Sequence, residues 1–163
     1  MEQHKENKTR AAKIVPIIIS ERKAACEVIA LQRVSYQVEA ELIGTNDIPP
    51  LKETAEELSA CGETFIGYYE RENLAGVLSY KLNGSQIDLH RVMVHPDYFR
   101  NGIAGKLLDA VEVKFPEARE MIVSTGAENL PAVRLYEKLG FLPAGEIIFM
   151  SGLKIAHFKK QLK

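Results

Sequence analysis

Apolar residues along the chain recur with two periods, which predict strands and helices in the order β-α-α-β-β-β-α-β-α-β-β. The β-branched stretch 14–19 predicts a first strand, in which Pro16 favours an edge position because proline cannot donate a ladder hydrogen bond. We expect residues 1–12 to form a flexible polar tail and residues 13–163 to form a single domain. This order predicts the fold class α/β (α+β), with a mixed, mostly antiparallel β-sheet flanked by helices.

Helical spacing predicts four helices. The first follows Ser20, a suitable N-cap, and carries apolar residues at Val28, Leu31, Val34, Val38 and Leu42. The segment 44–50 ends it, and a shorter second helix is marked by Leu51, Ala55 and Leu58. The third runs from Gly102 to about Phe115. The fourth has Asn129 as its predicted cap and Gly140 as its left-handed stop.

The predicted strands after the second helix form a hairpin series. Residues 64–70 and 74–82 are two strands, and Asn83-Gly84 is a strong hairpin signal that joins the second to residues 86–94. Residues 119–125 are apolar enough for a strand buried on both faces. Residues 146–150 and 153–162 predict two more strands that close the chain.

The strand at 86–94 changes phase along its length. Its apolar residues Ile87 and Leu89 are odd-numbered, whereas Val92 and Val94 are even-numbered. Because strand side chains alternate with period two, the change predicts a bulge near residues 90–91. We expect the bulge to splay this strand away from strand 119–125 and open a slot between them.

The stretch 94–108 (VHPDYFRNGIAGKLL) predicts a strand, a glycine-bearing turn and a helix. The first amides of a helix have no internal partner and attract phosphate at the positive end of the helix dipole. A nucleotide P-loop (GxxxxGK[ST]) is absent, and the GxGxxG of a dinucleotide site is replaced by GxAG after a later strand. The pyrophosphate of coenzyme A is the third interpretation.

Composition excludes several other classes. The 163 residues are 46% hydrophobic with a net charge of −1, so nucleic-acid binding is not expected. The four histidines lack metal-ligand spacing, and Cys26 and Cys61 predict reduced thiols rather than a disulfide. A polar N-terminus and the absence of a long apolar run predict a cytoplasmic protein without membrane contact. A homodimer is not excluded.

Two motifs resemble those of the GNAT superfamily of acyl-CoA-dependent N-acetyltransferases. Residues 91–108 resemble the family's strand, proline, [QR]xxGx[GA] turn and helix, and residues 129–141 (NLPAVRLYEKLGF) resemble its following motif. The resemblance covers roughly residues 14–162. Phe99 stands at the position where the family has Gln or Arg, and Arg100 comes one place later.

The resemblance implies acetyl-CoA as co-substrate and a fold with a bulged, splayed fourth strand. It implies direct attack of a small-molecule or peptide amine on the thioester, with a backbone amide near Val92 or Met93 stabilising the oxyanion. No metal is implied. The implied cofactor-binding residues are Val92, Met93, Val94, Arg100, Asn101, Gly102, Ile103, Ala104, Gly105, Lys106 and Asn129.

The resemblance also implies two catalytic residues. Tyr136 is the general acid for the departing thiolate, the alternative being a helix-face tyrosine with its hydroxyl at the surface. Asp88 is the candidate general base, with His90 and Glu70 as rivals and an exposed strand acid as the alternative. Asn129 is either a helix cap or a cofactor contact.

The acceptor site is predicted to be walled by the first two helices and the segment 44–50, with Tyr36, Tyr68 and Tyr69 as candidate lining residues. Ordinary packing of these tyrosines is the alternative. Two other function classes stay open on the same fold: a non-catalytic acyl-CoA sensor and a partner-binding module.

Overall fold

The computed structural model describes residues 12–44 and 48–163. Its strands are β1 (Ala12–Ile17), β2 (Thr64–Glu70), β3 (Asn73–Asn83), β4 (Gln86–Val94), β5 (Glu120–Gly126), β6 (Leu142–Ile148) and β7 (Lys154–Gln161). Its helices are α1 (Arg22–Ile43), α2 (Pro49–Lys52), α3 (Ala55–Ser59), α4 (Ile103–Lys114) and α5 (Leu130–Lys138), with a 3₁₀ turn at Pro96–Tyr98. No helix in this part of the chain is long and apolar enough to cross a membrane.

The strands form one sheet in the order β1-β2-β3-β4-β5-β7-β6. Neighbouring strands are antiparallel except β4 and β5, which are parallel. The mixed, mostly antiparallel sheet predicted from the sequence is therefore confirmed. Pro16 lies on β1, at one edge of the sheet as expected.

Several predicted boundaries were wrong. Ser20 does not cap α1, because the N-cap is Glu21 and its side chain makes no capping hydrogen bond. The predicted second helix is divided into α2 and α3, because Thr54 forms a capping box with Glu57 that starts a new helix. Ala12, expected in the tail, begins β1, whereas residues 1–11 and 45–47 of the predicted tail and loop lie outside the described residues.

The last hairpin also differs from its prediction. Strand β6 begins at Leu142 and ends at Ile148, earlier than the predicted 146–150, and every residue in it is exposed. Phe149 and Met150 belong to the turn before β7. The apolar run at 147–150 was interpreted as strand because of composition alone, which cannot place a turn within such a run.

Two apolar clusters cover opposite faces of the sheet. One face packs against α4 and α5, with Leu107, Leu108 and Phe141 at its centre. The other packs against α1 and α3, through residues that include Val28 and Leu58. Because the two clusters are separated by the sheet, a gap in the sheet is the place where α1 can approach α5.

A bulge interrupts β4 where the phase of its apolar residues changes. Leu89 pairs with Tyr80 on β3 and Arg91 pairs with the preceding Ser79, so His90 is the extra residue. The predicted bulge is thus confirmed. It keeps Val92 and Val94 on the same face as Leu89, while Met93 packs against α1 and α3.

The bulge coincides with the end of the β4–β5 ladder. Among the described residues, the parallel pairing runs only from Gln86 to Asp88 on β4, opposite Glu120 to Ile122 on β5. Strand β4 continues to pair with β3 as far as Val94. The two central strands therefore splay apart beyond Asp88, as predicted, and leave one edge of β4 facing an opening in the sheet.

Candidate functional site

A turn with left-handed backbone connects the splayed strand to α4. Arg100 has φ 67° and Gly102 has φ 71°, and Gly102 is the N-cap of the helix. Lys106 donates the first helical hydrogen bond, to the carbonyl of Gly102 at 3.1 Å. The amides of residues 103–105 therefore come before the first internal hydrogen bond of the helix. They form the positive end of the helix dipole.

The side chains of this turn divide between core and solvent. Ile103 and Ala104 are buried in the α4 face of the core, so only their backbone can meet a ligand. Arg100, Asn101 and Lys106 are exposed, and Lys106 Nζ lies 5.6 Å from the ring centre of Tyr68.

Phe99 stands at the position where the family has Gln or Arg, and it is 46% exposed. Its hydrocarbon ring has no hydrogen-bond donor. The ideal Cβ position at Gly105 lies 3.5 Å from Leu139 of the α5 end. The groups left accessible at this turn are therefore the backbone amides and the side chains of Arg100, Asn101 and Lys106.

Tyr136 lies on α5, within the apolar cluster on the α4 face of the sheet. Its ring is buried, 5.6 Å from the Phe141 ring and 6.1 Å from the Phe158 ring. The alternative of a helix-face tyrosine with a surface hydroxyl is therefore wrong. Burial raises the pKa of its phenol above the ordinary value, and the nearby Tyr36 and Glu39 raise it further.

Glu39 of α1 contacts the end of β5 and the start of α5. Its carboxylate accepts hydrogen bonds from the Gly126 amide and the Asn129 side chain, although burial still raises its pKa. Asn129 also caps α5 by accepting from the Ala132 amide at 3.3 Å. The cap role is confirmed, and the same side chain ties α5 to α1. No sequence pattern singled out Glu39.

On the α1 face, Arg91 is the centre of a buried polar network that the sequence analysis missed. Its Nε lies 2.8 Å from Glu63 Oε1, and its Nη1 donates to Gln32 Oε1 at 2.8 Å. Both guanidinium Nη atoms also bond to Glu53. Ser79 donates to Glu63 Oε1 at 2.6 Å, so the network joins α1, β3 and β4 to the segments before and after α3.

The network keeps two carboxylates ionised. Burial would raise the pKa of Glu63, but hydrogen bonds from Arg91 and Ser79 outweigh burial and hold it below the ordinary value. For Glu53, bonds from Arg91 and Gln32 likewise outweigh burial and lower the pKa. The Arg91 guanidinium is thus fully engaged by carboxylates and an amide, and is not free to bind an anionic ligand.

A pocket of about 430 Å³ opens beside this network, between α1, the α2–α3 segment and the bulge. Its lining contains both carboxylates of the Arg91 network and one of the three tyrosines predicted to line an acceptor site. The lining residues are Tyr36, Pro50, Lys52, Glu53, Glu57, Glu63, His90 and Arg91.

The other two tyrosines predicted there are placed elsewhere. Tyr68 is buried in the cluster on the α4 face, and Tyr69 hydrogen-bonds Glu27 on α1.

The three candidate bases are not equally placed. His90, the bulge residue, lines the pocket, whereas Asp88 lies behind it with Oδ2 3.2 Å from His90 Nε2. Glu70 pairs with Asn73 at the far end of β2, whereas Thr64 at the near end pairs with Tyr80 beside the bulge. A strand rises about 3.3 Å per residue, so Glu70 is about 20 Å away along β2.

Metal chemistry has no donor set in the part of the chain that the structure describes. Within residues 12–44 and 48–163, no group of three or more His, Cys, Asp or Glu side chains is arranged to hold a metal ion. The described chemistry therefore consists of backbone donors at α4, a buried phenol, and a histidine between carboxylates.

The fold is that of acetyltransferases. The chain superposes on an acetyltransferase from Thermus thermophilus with a TM-score of 0.75, at 16% identity, covering 93% of this chain and 97% of that one. It also superposes on a Bacillus anthracis protein solved in complex with acetyl coenzyme A, with a TM-score of 0.57 and 16% identity over 62% of this chain and 63% of that one. Residues 28–141 match the acetyltransferase (GNAT) family, and the chain belongs to that family.

A longer relative shares most of this chain. The sequence is 38% identical over 138 residues to the UPF0157 protein YqkA of Bacillus subtilis (strain 168), which covers 85% of this chain. The chain spans about 40% of the length of that relative.

Proposed function

We propose that this protein transfers an acetyl group from acetyl-CoA to a primary amine. The observation that carries the proposal is the loss of β4–β5 pairing beyond Asp88, on the strand that leads into the turn with the open α4 amides. Pyrophosphate on the amides of residues 100–105 places the pantetheine arm along the unpaired edge of β4. The acetyl-CoA complex of the Bacillus anthracis neighbour supports this choice of cofactor.

In this proposal the backbone of β4 stabilises the developing oxyanion. A strand amide near Val92 or Met93, beyond the bulge, donates to the thioester oxygen as the amine attacks the carbonyl carbon. Loss of one such donor costs about 10²–10³ in rate. The side chains of these residues are core, so the role belongs to the main chain.

Tyr136 gives its proton to the sulfur as the carbon–sulfur bond breaks. The proton that nitrogen loses while the amide forms then replaces the phenolic one, so protons balance. Burial raises the pKa of the phenol. Burial also raises the pKa of a thiol in the same place. Burial alone therefore does not make proton transfer from the phenol to the thiolate unfavourable.

The amine must also lose a proton before it attacks, because an ordinary alkylamine is charged at neutral pH. Asp88 and His90 stand at the bulge, next to the pocket of about 430 Å³, which we assign as the acceptor site. Supporting this assignment, the pocket and the β4–β5 opening both begin at the bulge.

Two measurements test the function. Acetyl-CoA at about 100 times its Kd should stabilise the folded protein by about 2.7 kcal/mol, because it binds only the native state. Thiol release from acetyl-CoA should then depend on an added amine, across a panel of alkylamines, amino acids, aminoglycosides and peptides. Stabilisation without thiol release for any amine would favour the sensor alternative, and no stabilisation would favour the partner-binding one.

A further inference from the structure

We propose that His90 is the general base of this reaction and that Asp88 is its positioning residue; the inference rests on the proposed function. The bulge makes His90 the unpaired residue of β4, and its imidazole lines the acceptor pocket. Asp88, two residues earlier, is not a lining residue of that pocket. A base must reach the proton that it removes, so pocket access separates the two residues.

The distances to the nearest carboxylate oxygens distinguish the two ring nitrogens of His90. His90 Nε2 lies 3.2 Å from Asp88 Oδ2, and Nδ1 lies 3.8 Å from Glu63 Oε2. If the neutral imidazole carried its proton on Nδ1, the Nε2 lone pair would face a carboxylate oxygen at 3.2 Å without a hydrogen between them. The repulsion is weaker at Nδ1, which is 3.8 Å from Glu63. In the proposal the neutral ring therefore carries its proton on Nε2, on the Asp88 side, and leaves the Nδ1 lone pair open.

In the proposal the ammonium group of the acceptor lies between Nδ1 of His90 and Oε2 of Glu63. Nδ1 and Glu63 Oε2 are both acceptors, and the 3.8 Å between them lets one –NH₃⁺ donate to each. Glu63 is held ionised by Arg91 and is 7% exposed, so its charge is fixed in position. An ammonium group held there lies in line for proton transfer to Nδ1.

The step balances within these residues. An N–H bond of the ammonium breaks, its electron pair remains on the amine nitrogen, and a bond forms between the proton and Nδ1. The imidazolium then has a carboxylate at each ring nitrogen, Asp88 at Nε2 and Glu63 at Nδ1. The neutral amine attacks the thioester, and His90 later releases its proton to solvent through the pocket.

Other charged groups set the field at His90. Three carboxylates, two cations and one phenol lie around the pocket, and one lysine lies across the strand pair from Asp88. They are Glu53, Glu57 and Glu63, Lys52 and Arg91, Tyr36, and Lys81 on β3. The carboxylates that line the pocket outnumber its cations, which favours a cationic acceptor at the entrance.

The test compares an alkylamine with an alkoxyamine in the full-length chain. Ethanolamine is charged at neutral pH and needs a base, whereas O-methylhydroxylamine is uncharged there and does not. We expect His90→Gln to lower kcat/KM for ethanolamine about 10²-fold and to leave O-methylhydroxylamine within a few-fold. His157→Gln, which alters a β7 histidine bonded to Ser124, is the matched control and should change neither.

The pH profile gives a second signature. With a working base, kcat/KM for ethanolamine should rise much less steeply with pH than the fraction of free amine does. In His90→Gln, only free amine reacts, so kcat/KM should rise about tenfold per pH unit from about pH 7 to about pH 9. Equal losses for both amines, with a level profile in the variant, would overturn the assignment.

The tautomer provides a readout that does not depend on turnover. Long-range ¹H–¹⁵N NMR of the free protein should show the His90 proton on Nε2, and Asp88→Asn should change that tautomer and lower ethanolamine turnover about tenfold. A proton on Nδ1 of His90 in the wild type would contradict the proposal. Full ethanolamine turnover in His90→Gln would contradict the role of His90 alone, whereas no turnover of any amine of the panel by the wild type would contradict the proposed function itself.

Discussion

At the scale of single residues, the surroundings of Tyr136 bring together side chains from distant parts of the chain. Tyr36 and Glu39 come from α1, and Tyr136 comes from α5. Burial and the neighbouring carboxylate keep the two phenols protonated, since the pKa of each is raised. A protonated phenol is a donor to a developing negative charge rather than a nucleophile.

We predict that Tyr136→Phe lowers kcat about 10²-fold, because it removes the proton donor to the thiolate while the ring keeps its contacts with Phe141 and Phe158. The Kd for acetyl-CoA and the melting temperature should change little. Tyr80→Phe, at another buried tyrosine that packs on Phe115, is the control. Stopped-flow thiol release at a pH where chemistry limits the rate measures the effect, and an unchanged kcat would assign Tyr136 to packing.

The sequence predicted the structural roles of residues that belong to a local pattern. Asn129 was recognised as a cap and Gly140 as a left-handed stop, and both hold, with Gly140 at φ 96°. Glu63 and Gln32 were missed because their roles depend on Arg91, which lies 28 and 59 residues away in sequence. A lone acid or amide has no periodicity that would indicate its partner.

At the scale of elements, the start of α4 and the bulge in β4 are the two features that shape the site. The bulge was predictable because the phase of the apolar residues is a direct consequence of strand geometry. Ser20 was a wrong cap because capping preference is weak compared with the packing that fixes where α1 begins. The separation of α2 from α3 depended on Thr54 and Glu57 acting together, which the apolar pattern does not record.

We predict that Gly102→Val raises the Kd for acetyl-CoA at least about tenfold, because a side chain there blocks the close approach of a phosphate to the α4 amides. In the free protein an added Cβ at Gly102 meets nothing within 4 Å, so the obstruction arises only when the ligand approaches. The left-handed φ of 71° also costs about 1–2 kcal/mol for a residue with a side chain.

Gly84→Val separates the two effects of that substitution. Gly84 has φ 60° and equally open surroundings in the β3–β4 turn, so it shares the backbone strain without the phosphate. Calorimetric titration with acetyl-CoA should show weakened binding in Gly102→Val alone. Equal affinities in the two variants would contradict a phosphate site at this turn.

At the scale of the whole molecule, the Arg91 network fastens α1 and the α2–α3 segment to the centre of the sheet. Removing Arg91 leaves Glu53 and Glu63 facing each other without a counter-charge. Breaking a fully buried ion pair costs about 3–5 kcal/mol. Because this network borders an open pocket, we expect Arg91→Met to lower the free energy of unfolding by about 2–3 kcal/mol, with Arg134→Met on exposed α5 surface as the control.

The same network predicts how stability depends on pH. The folded-state pKa values of Glu53 and Glu63 lie below the ordinary value, so their contribution is present above that value and is lost as the pH falls through the folded pKa. The melting temperature of the wild type should therefore fall on acidification from about pH 5 to about pH 3. In Arg91→Met the fall should be smaller, because protonation relieves the repulsion of the two carboxylates; a parallel fall in both proteins would argue against the network.

The extra residue in β4 sets the parity of this strand. In a regular strand Leu89 and Arg91 would lie on the same face, because side chains two residues apart share a face. With His90 as the extra residue, Leu89 packs on the α4 face, whereas Arg91 pairs with Ser79 and lies on the α1 face. A chain without His90 would join Leu89 directly to Arg91, so residues 91–94 would keep both their faces and their partners on β3. Evolution can therefore remove this residue without turning the strand over, and the loss would fall on the proposed site rather than on the core.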